Sequence, residues 1–472
     1  MKNQITFLLL LLTFAPFFSS AQIITTIAGT PGVNGYSGDG GQATNAKIGG
    51  SGSANGIATD NRGNLYISDY LRIRKVDSFG IINTIAGNGV WVGAPTDTGD
   101  GYPATAVSLF YTGNIGADYA GNLFFDTYLG IRKISPSGIL STMITSVNGG
   151  NFVGLNGPAT AAGYASTGLS GSSLWVDSVG QLYYADSCQC IRKIASDGIV
   201  RIVAGQGCAD TTFNNGAPAT ATGLGGIACI TTDAHGAIYY TGGAGSGSSA
   251  FGRVVKIDAT GVLHLLAGTG VGGYTTDGSP ASSAALSDRL RGIAVDKDGT
   301  VYFVETHQSG AAPQSSFVRK ISPTGILTTV AGILDSAGFS GDGGPATAAK
   351  LSGDVAHLSL NTNGDLYIND IYNYCIRKIK HPVLVVNNVT PLELANLAIA
   401  PNPTSNGTFT IRCTAKRNED MDVSITAMDG RQAQRLHAKT NEPLPIQLTV
   451  KGIYLVTADL NGQQITQRVT VQ

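Results

Sequence analysis

Apolar positions along this chain fall in short runs divided by turn residues, and the runs come in a fixed order. The stretch NGIATDNRGNLYISDYLRIRKVDSFGIINTIAG, residues 55–87, holds an apolar run, a turn, an LYxxD run, a second turn, an IRK run, a third turn and an apolar run ending in Ala-Gly. The order recurs around 122–143, 181–205, 237–268 and 300–332, and a last copy, DLYINDIYNYCIRKI, occupies 365–379. The closing run starts at Ile23, Ile81, Ile139, Ile199, Val262 and Ile326, at spacings of 58, 58, 60, 63 and 64 residues. In the first unit the pattern predicts strands over 56–59, 65–68, 73–76 and 81–86. Six units of four short strands predict an all-β fold, a six-bladed β-propeller with four strands per blade.

The turns support this division. Asp or Asn stands three residues ahead of Gly in the first turn of every unit: Asp60/Gly63, Asp118/Gly121, Asp177/Gly180, Asp233/Gly236, Asp296/Gly299 and Asn361/Gly364. An Asx side chain accepts turn amides and Gly supplies the φ > 0 residue of a short hairpin, so these positions are structural. The last unit stops after Ile379 without its fourth strand, and the chain opens with an unattached one over 23–29. That N-terminal strand, docked on the last blade, closes the ring and removes an exposed edge.

A second regularity concerns charge. The second strand ends in an acid at Asp69, Asp186, Glu305 and Asp370, and the third carries Arg74, Arg192, Arg319 and Arg377. In the fourth unit both are lost together, to Gly242 and Val255, which predicts a cross-strand ion pair within each blade. Thr127 with Arg132 departs from the rule; a basic surface built on the IRK runs is the alternative.

Composition narrows the class. Hydrophobic residues make up 42 % of 472, Gly takes 64 positions, charged residues are 13 %, and the net charge is −1. This is enough apolar matter to fold and carries no basic stripe, so no nucleic-acid partner is expected. The opening MKNQITFLLLLLTFAPFFSSAQ, with Lys2 ahead of an apolar run and a small-x-small site at Ser19 and Ala21, reads as a signal peptide over 1–21. No later segment reaches a transmembrane length. An exported chain can oxidise its six Cys; Cys188 or Cys190 bridged to Cys208 or Cys229 and buried free thiols both stay open.

The units GIATD, GNLYISD and RIRKV resemble the NHL-repeat propellers over 23–380. The likeness is to the bacterial and teneurin-like subgroup, through the interblade phrase GYSGDGGQAT (35–44) and GFSGDGGPAT (338–347) and its worn copies TGDGYPAT, NGPAT, NGAPAT and TDGSPAS. The resemblance implies a binding scaffold more often than an enzyme.

From residue 395 the pattern changes: 381–394 reads as a linker, and 395–472 as a small β-sandwich. Pro401-Asn402-Pro403-Thr404, Asp429-Gly430-Arg431, Gly452-Ile453-Tyr454 and a terminal strand over 467–471 resemble the C-terminal sorting domain of Bacteroidota type IX secretion cargo. That resemblance implies the type IX machinery as a partner, passage through the periplasm, and a destination at the outer cell surface or in the medium.

No catalytic motif stands out: HExxH, GxSxG, a P-loop and CxxC are all missing, and the six His are scattered singly. The positions five residues ahead of each first-turn Asx, Asn55, Gly113, Ser172, Ala228, Arg291 and Ala356, form no ligand ring, so no catalytic residue, metal or cofactor is expected. The interblade loops are the better candidate. They pair aromatics with acids at Tyr36/Asp39, Tyr274/Asp277 and Phe339/Asp342, and set Trp91 and Tyr102 around Asp100. Such pairs suit a sugar or an extended peptide; the alternative is that the rings plug the rim and the Asp caps a turn. The expectation is an exported module binding an extracellular glycan or protein. A lyase or hydrolase on the propeller face, or a structural surface component, is the alternative.

Overall fold

The computed structural model describes residues 22–49, 56–91, 99–109, 111–146, 154–164, 173–186, 188–207, 212–243, 252–308, 314–381, 394–415, 418–427, 431–460 and 463–472. The expected signal peptide, Cys208, Asp429 and Gly430 lie outside them, as does nearly all of the expected linker. The chain divides into two compact units, 1–382 and 383–472, and both are all-β apart from single 3₁₀ turns.

Among the described residues the larger unit holds six antiparallel sheets, five of them made of four consecutive strands, the second with a short extra strand, Gly163–Tyr164, laid parallel on its outer edge. In the first sheet the strands are Ile57–Thr59, Leu65–Asp69, Arg72–Val76 and Ile82–Ala86, within a residue or two of the sequence expectation. Asp60 makes the expected turn: its Oδ1 accepts from the amides of Arg62 and Asn64, both at 2.9 Å, and Gly63 takes φ +80°. The sixth sheet takes its fourth strand from the start of the chain. Ile24–Ala28 pairs antiparallel with Cys375–Ile379, in the register Ile24↔Ile379 and Thr26↔Arg377.

Second strands such as Leu65–Asp69 are buried at all five positions. That is the pattern of a strand covered on both faces. The cores accordingly lie between sheets. Leu65 and Ile67 face Tyr367 and Ile376 of the sixth sheet, while Tyr66 turns the other way, toward Ile115 and Phe125 of the second. The same exchange of odd and even positions joins second to third, third to fourth, fourth to fifth and fifth to sixth. Period-2 alternation thus assigns each side chain to one neighbour or the other.

The smaller unit packs one sheet of Leu394–Ala400, Thr408–Ala415 and Pro443–Gln447 on another of Gln432–Lys439, Asp420–Ala427, Gly452–Leu460 and Gln463–Val471. Phe409, Ile411, Val423, Ile425, Val456 and Val469 fill its interior. Two sheets around one such core make a β-sandwich.

Candidate functional site

The interblade loops are stapled to the sheet that follows them. Asp39 accepts from Arg74 Nη2 at 2.5 Å and from the amide of Thr84 at 3.1 Å. Asp100 accepts from Arg132 at 2.8 Å, and Asp342 from Arg377 at 2.5 Å; Asp277 lies 3.4 Å from Arg319. The four guanidiniums are essentially inaccessible to solvent, at 0–2 % side-chain exposure, which overturns the alternative of a basic IRK surface. Gly38 makes the loop possible: its φ is +92°, and a Cβ there would sit 2.8 Å from Ala46, whose methyl is buried beneath the turn.

The strand acids behave partly as expected. Arg74–Asp69 at 3.4 Å, Arg192–Asp186 at 2.5 Å and Arg319–Glu305 at 3.2 Å are cross-strand pairs. The sixth sheet differs: Arg377 turns to Asp342, while Asp370 accepts from the Ser352 amide and Asn373. In the second sheet Thr127 caps its own turn and Arg132 relies on Asp100. In the third, Leu155 stands where four of the other loops carry Asp and that of the fourth sheet carries Asn215, and Arg192 pairs with Asp186. Burial pushes the Asp69 carboxyl up to about 6, against the Gly49 amide and the Arg74 charge. For Asp39 burial acts in the same sense, but hydrogen bonds from Thr84, Tyr36 and Arg74 outweigh it and hold the carboxyl below its usual value.

The aromatics divide into two groups. Tyr36 lies over Arg72 at 3.6 Å and donates to Asp39 at 2.7 Å; Tyr274 covers Arg319 at 5.0 Å and Phe339 covers Arg377 at 4.8 Å. Phe213, which the sequence reading passed over, does the same for Arg253 at 4.5 Å. Trp91 and Tyr102 form the second group. Tyr102 is 61 % exposed. Trp91, 48 % exposed, stacks on Tyr70 at 6.4 Å and meets Tyr111 edge-on at 5.3 Å. Tyr70 and Tyr111 take φ of 61° and 49°, left-handed values that bulky residues seldom adopt. Nothing in the repeat pattern singled out these two tyrosines, and the second unit carries Tyr128 at the position equivalent to Tyr70.

Along the first strands, the side chains that meet lie four residues ahead of the turn Asx, one register from the positions the sequence reading compared. They are Ser173, Cys229 and His357, with Gly56 and Gly292 where neighbouring backbones come too close for a Cβ, and Asn114 at the same position of the second sheet. Cys229 Sγ lies 3.6 Å from His357 Nε2, and both are buried. Burial opposes their ionisation, yet each draws the other toward its charged form, lowering the thiol and raising the imidazole. Cys188 is disulfide-bonded, while Cys190 and Cys229 are free thiols. Among the described residues no three His, Cys, Asp or Glu are grouped to hold a metal ion.

In the smaller unit, Asn402 grips the last strand, donating to the Arg468 carbonyl at 2.7 Å and accepting from the Thr470 amide at 3.1 Å. Pro401 and Pro403 flank it on exposed backbone, and Thr404 is buried. Tyr454 is buried with its hydroxyl on the Val450 carbonyl, while Gly452 starts its strand and Ile453 faces outward.

Residues 21–97 match the family model of the teneurin NHL domain, and 398–472 match that of the secretion system C-terminal sorting domain. No curated protein matches the chain. Among solved structures, a protein of unknown function from Bacteroides thetaiotaomicron aligns at a TM-score of 0.51 and 17 % identity over 76 % of each chain, a likeness of fold. Auxiliary nutrient binding proteins from Bacteroides thetaiotaomicron and Bacteroides ovatus align at 0.47 and 0.46, each at 14 % identity over 76 % of each chain. Among the described residues no helix is long and apolar enough to cross a membrane.

Proposed function

We propose that this chain, which carries a teneurin-type NHL region and a secretion sorting domain, is an exported binding module on a six-bladed, ring-closed β-propeller. Its ligand is an extracellular glycan or protein. The sorting domain addresses the chain to the type IX machinery, and so to the cell surface or the medium; residues 1–21 serve as the signal peptide. Closure is supported by the core that joins the sixth sheet to the first and by the N-terminal strand that completes the sixth.

The observation that carries the binding reading is the Tyr70–Trp91–Tyr111 cluster. Two tyrosines held at positive φ cost about 1 kcal/mol or more each, and the arrangement leaves an indole half open to solvent. Such a face stacks on the C–H side of a sugar or on an extended peptide. Trp91 and Tyr102 take the direct contacts in this reading. The exposed edges of Tyr36 and Phe339 and the open sides of Asp39, Asp100, Asp277 and Asp342 add others, with Tyr274 behind them.

A thermal-shift screen of the full-length protein against glycans and peptides tests this. A ligand at about 100 times its Kd adds roughly 2.7 kcal/mol, which is visible as a shift. A saturable shift lost in Trp91→Ala is the expected result. A shift that survives both Trp91→Ala and Tyr102→Ala would move the site, and silence across the panel would remove the binding reading.

A further inference from the structure

The first hairpins of all six sheets surround a cavity of 420 Å³. Its size falls at the lower end of small-molecule sites, about 300–1,000 Å³. Two aromatic rings line it: Tyr119, 53 % exposed, and Trp175, half-buried, whose indole Nε1 donates to Thr232 Oγ1 at 2.9 Å. Thr59 and Thr232, half-buried, and Ser178 and Thr362, exposed, bring hydroxyls to the remaining wall.

We propose that this cavity is a sugar subsite that takes a single uncharged hexose ring, free or at the end of a neutral glycan. The rings offer faces for the C–H side of a pyranose, and the hydroxyls offer partners for its OH groups. Charge selects against acidic sugars, because the lining carries four carboxylates, Asp60, Asp177, Asp233 and Asp296, and one ammonium, Lys297. Those carboxylates are occupied by their own hairpins. Asp60 accepts from the Arg62 and Asn64 amides and the Tyr66 hydroxyl, and Asp233 from the His235 and Ala237 amides and the Tyr239 hydroxyl.

The walls are tied together before any ligand arrives. Thr59 Oγ1 lies 3.0 Å from Ser359 Oγ, the Trp175–Thr232 bond links third to fourth sheet, and the Tyr119 amide donates to the Ser178 carbonyl at 3.4 Å. A preformed site spares the ligand the ordering of its walls. None of this depends on the Trp91 cluster, and Trp91 does not line the cavity.

The chain has two tryptophans, so in the full-length Trp91→Phe protein Trp175 is the sole indole emitter. That protein is titrated with glucose, galactose, mannose and N-acetylglucosamine, and with glucuronate as the acidic probe. The expected result is a saturable change in Trp175 emission with at least one neutral sugar. Binding weakens about tenfold in Tyr119→Ala, recovers in Tyr119→Phe, and is at least about tenfold weaker for glucuronate. Unchanged emission with every neutral sugar, equal binding by Tyr119→Ala, or tighter binding of glucuronate would overturn the proposal. Because Trp91 is absent throughout, failure here leaves the Trp91-dependent reading standing, and the reverse holds.

Discussion

Arg74 is closed off from solvent by Asp39, which reaches its guanidinium at 2.5 Å from a loop thirty-five residues earlier, while its own neighbouring strand supplies Asp69 at a looser 3.4 Å. The loop acid therefore holds the arginine more tightly than the strand acid does. Arg377 repeats the preference, turning to Asp342 at 2.5 Å. The repeated Asp-Gly phrase is thus a staple between a loop and the sheet it precedes, a partly exposed carboxylate that pairs with a buried guanidinium.

Breaking that network from one side leaves uncompensated charge. Arg74→Leu is expected to cost about 3–5 kcal/mol, because Asp69 stays buried without its counter-charge. Adding Asp69→Asn should recover much of the loss, as the fourth sheet does naturally with Gly242 and Val255. Denaturant unfolding of the two variants checks this; a double variant no more stable than the single one would show that the charge is not the cause.

Stability should also depend on pH through Asp69. Burial raises its carboxyl from 3.8 to about 6, against the pull of Gly49, Arg74 and Arg72. A raised folded pKa contributes stability that is complete below the unfolded value and is lost as pH rises through the folded one. Between pH 4 and pH 7 the loss at this site is at most about 3 kcal/mol. The stability of Asp69→Asn relative to the parent should therefore increase from pH 4 to pH 7, measured by unfolding at both. Asp39, held low, acts in the opposite direction and is common to both proteins. A flat difference would refute the assignment.

The N-terminal strand offers a third test. Ile24 is wholly buried among Val330, Leu358, Leu366 and Ile379. Ile24→Ala should cost about 2–5 kcal/mol, and removal of 23–28 should lower the melting temperature of the whole larger unit. Melting unchanged after the deletion would refute the latch.

Much of the fold was legible because its signals are local. The short apolar run at 65–67 between turn residues specifies a strand, and Asp60 with Gly63 specifies its hairpin, each within a handful of residues. The pairing of Arg74 with Asp69 could be inferred from their joint loss at Gly242 and Val255. The candidate site was less legible. Tyr36, Tyr274 and Phe339 were read beside their acids, but that each covers a buried guanidinium, of Arg74 at 4.8 Å in the case of Tyr36, depends on how the loop lies on the sheet. Cys229 and His357 escaped a comparison made one residue out of register, since strand periodicity alone does not say which layer meets across the unit.

By itself the sequence determined the repeat, its strands and turns, the N-terminal strand as partner for the last unit, and the sorting domain, because periodicity and turn chemistry act over a few residues and recur in each copy. Tertiary structure decided which acid each arginine takes, which aromatics keep an open face, and that Thr59 and Ser359, three hundred residues apart, share one cavity wall with Tyr119 and Trp175. Those outcomes depend on distances between segments remote along the chain, and only packing of the sheets sets them.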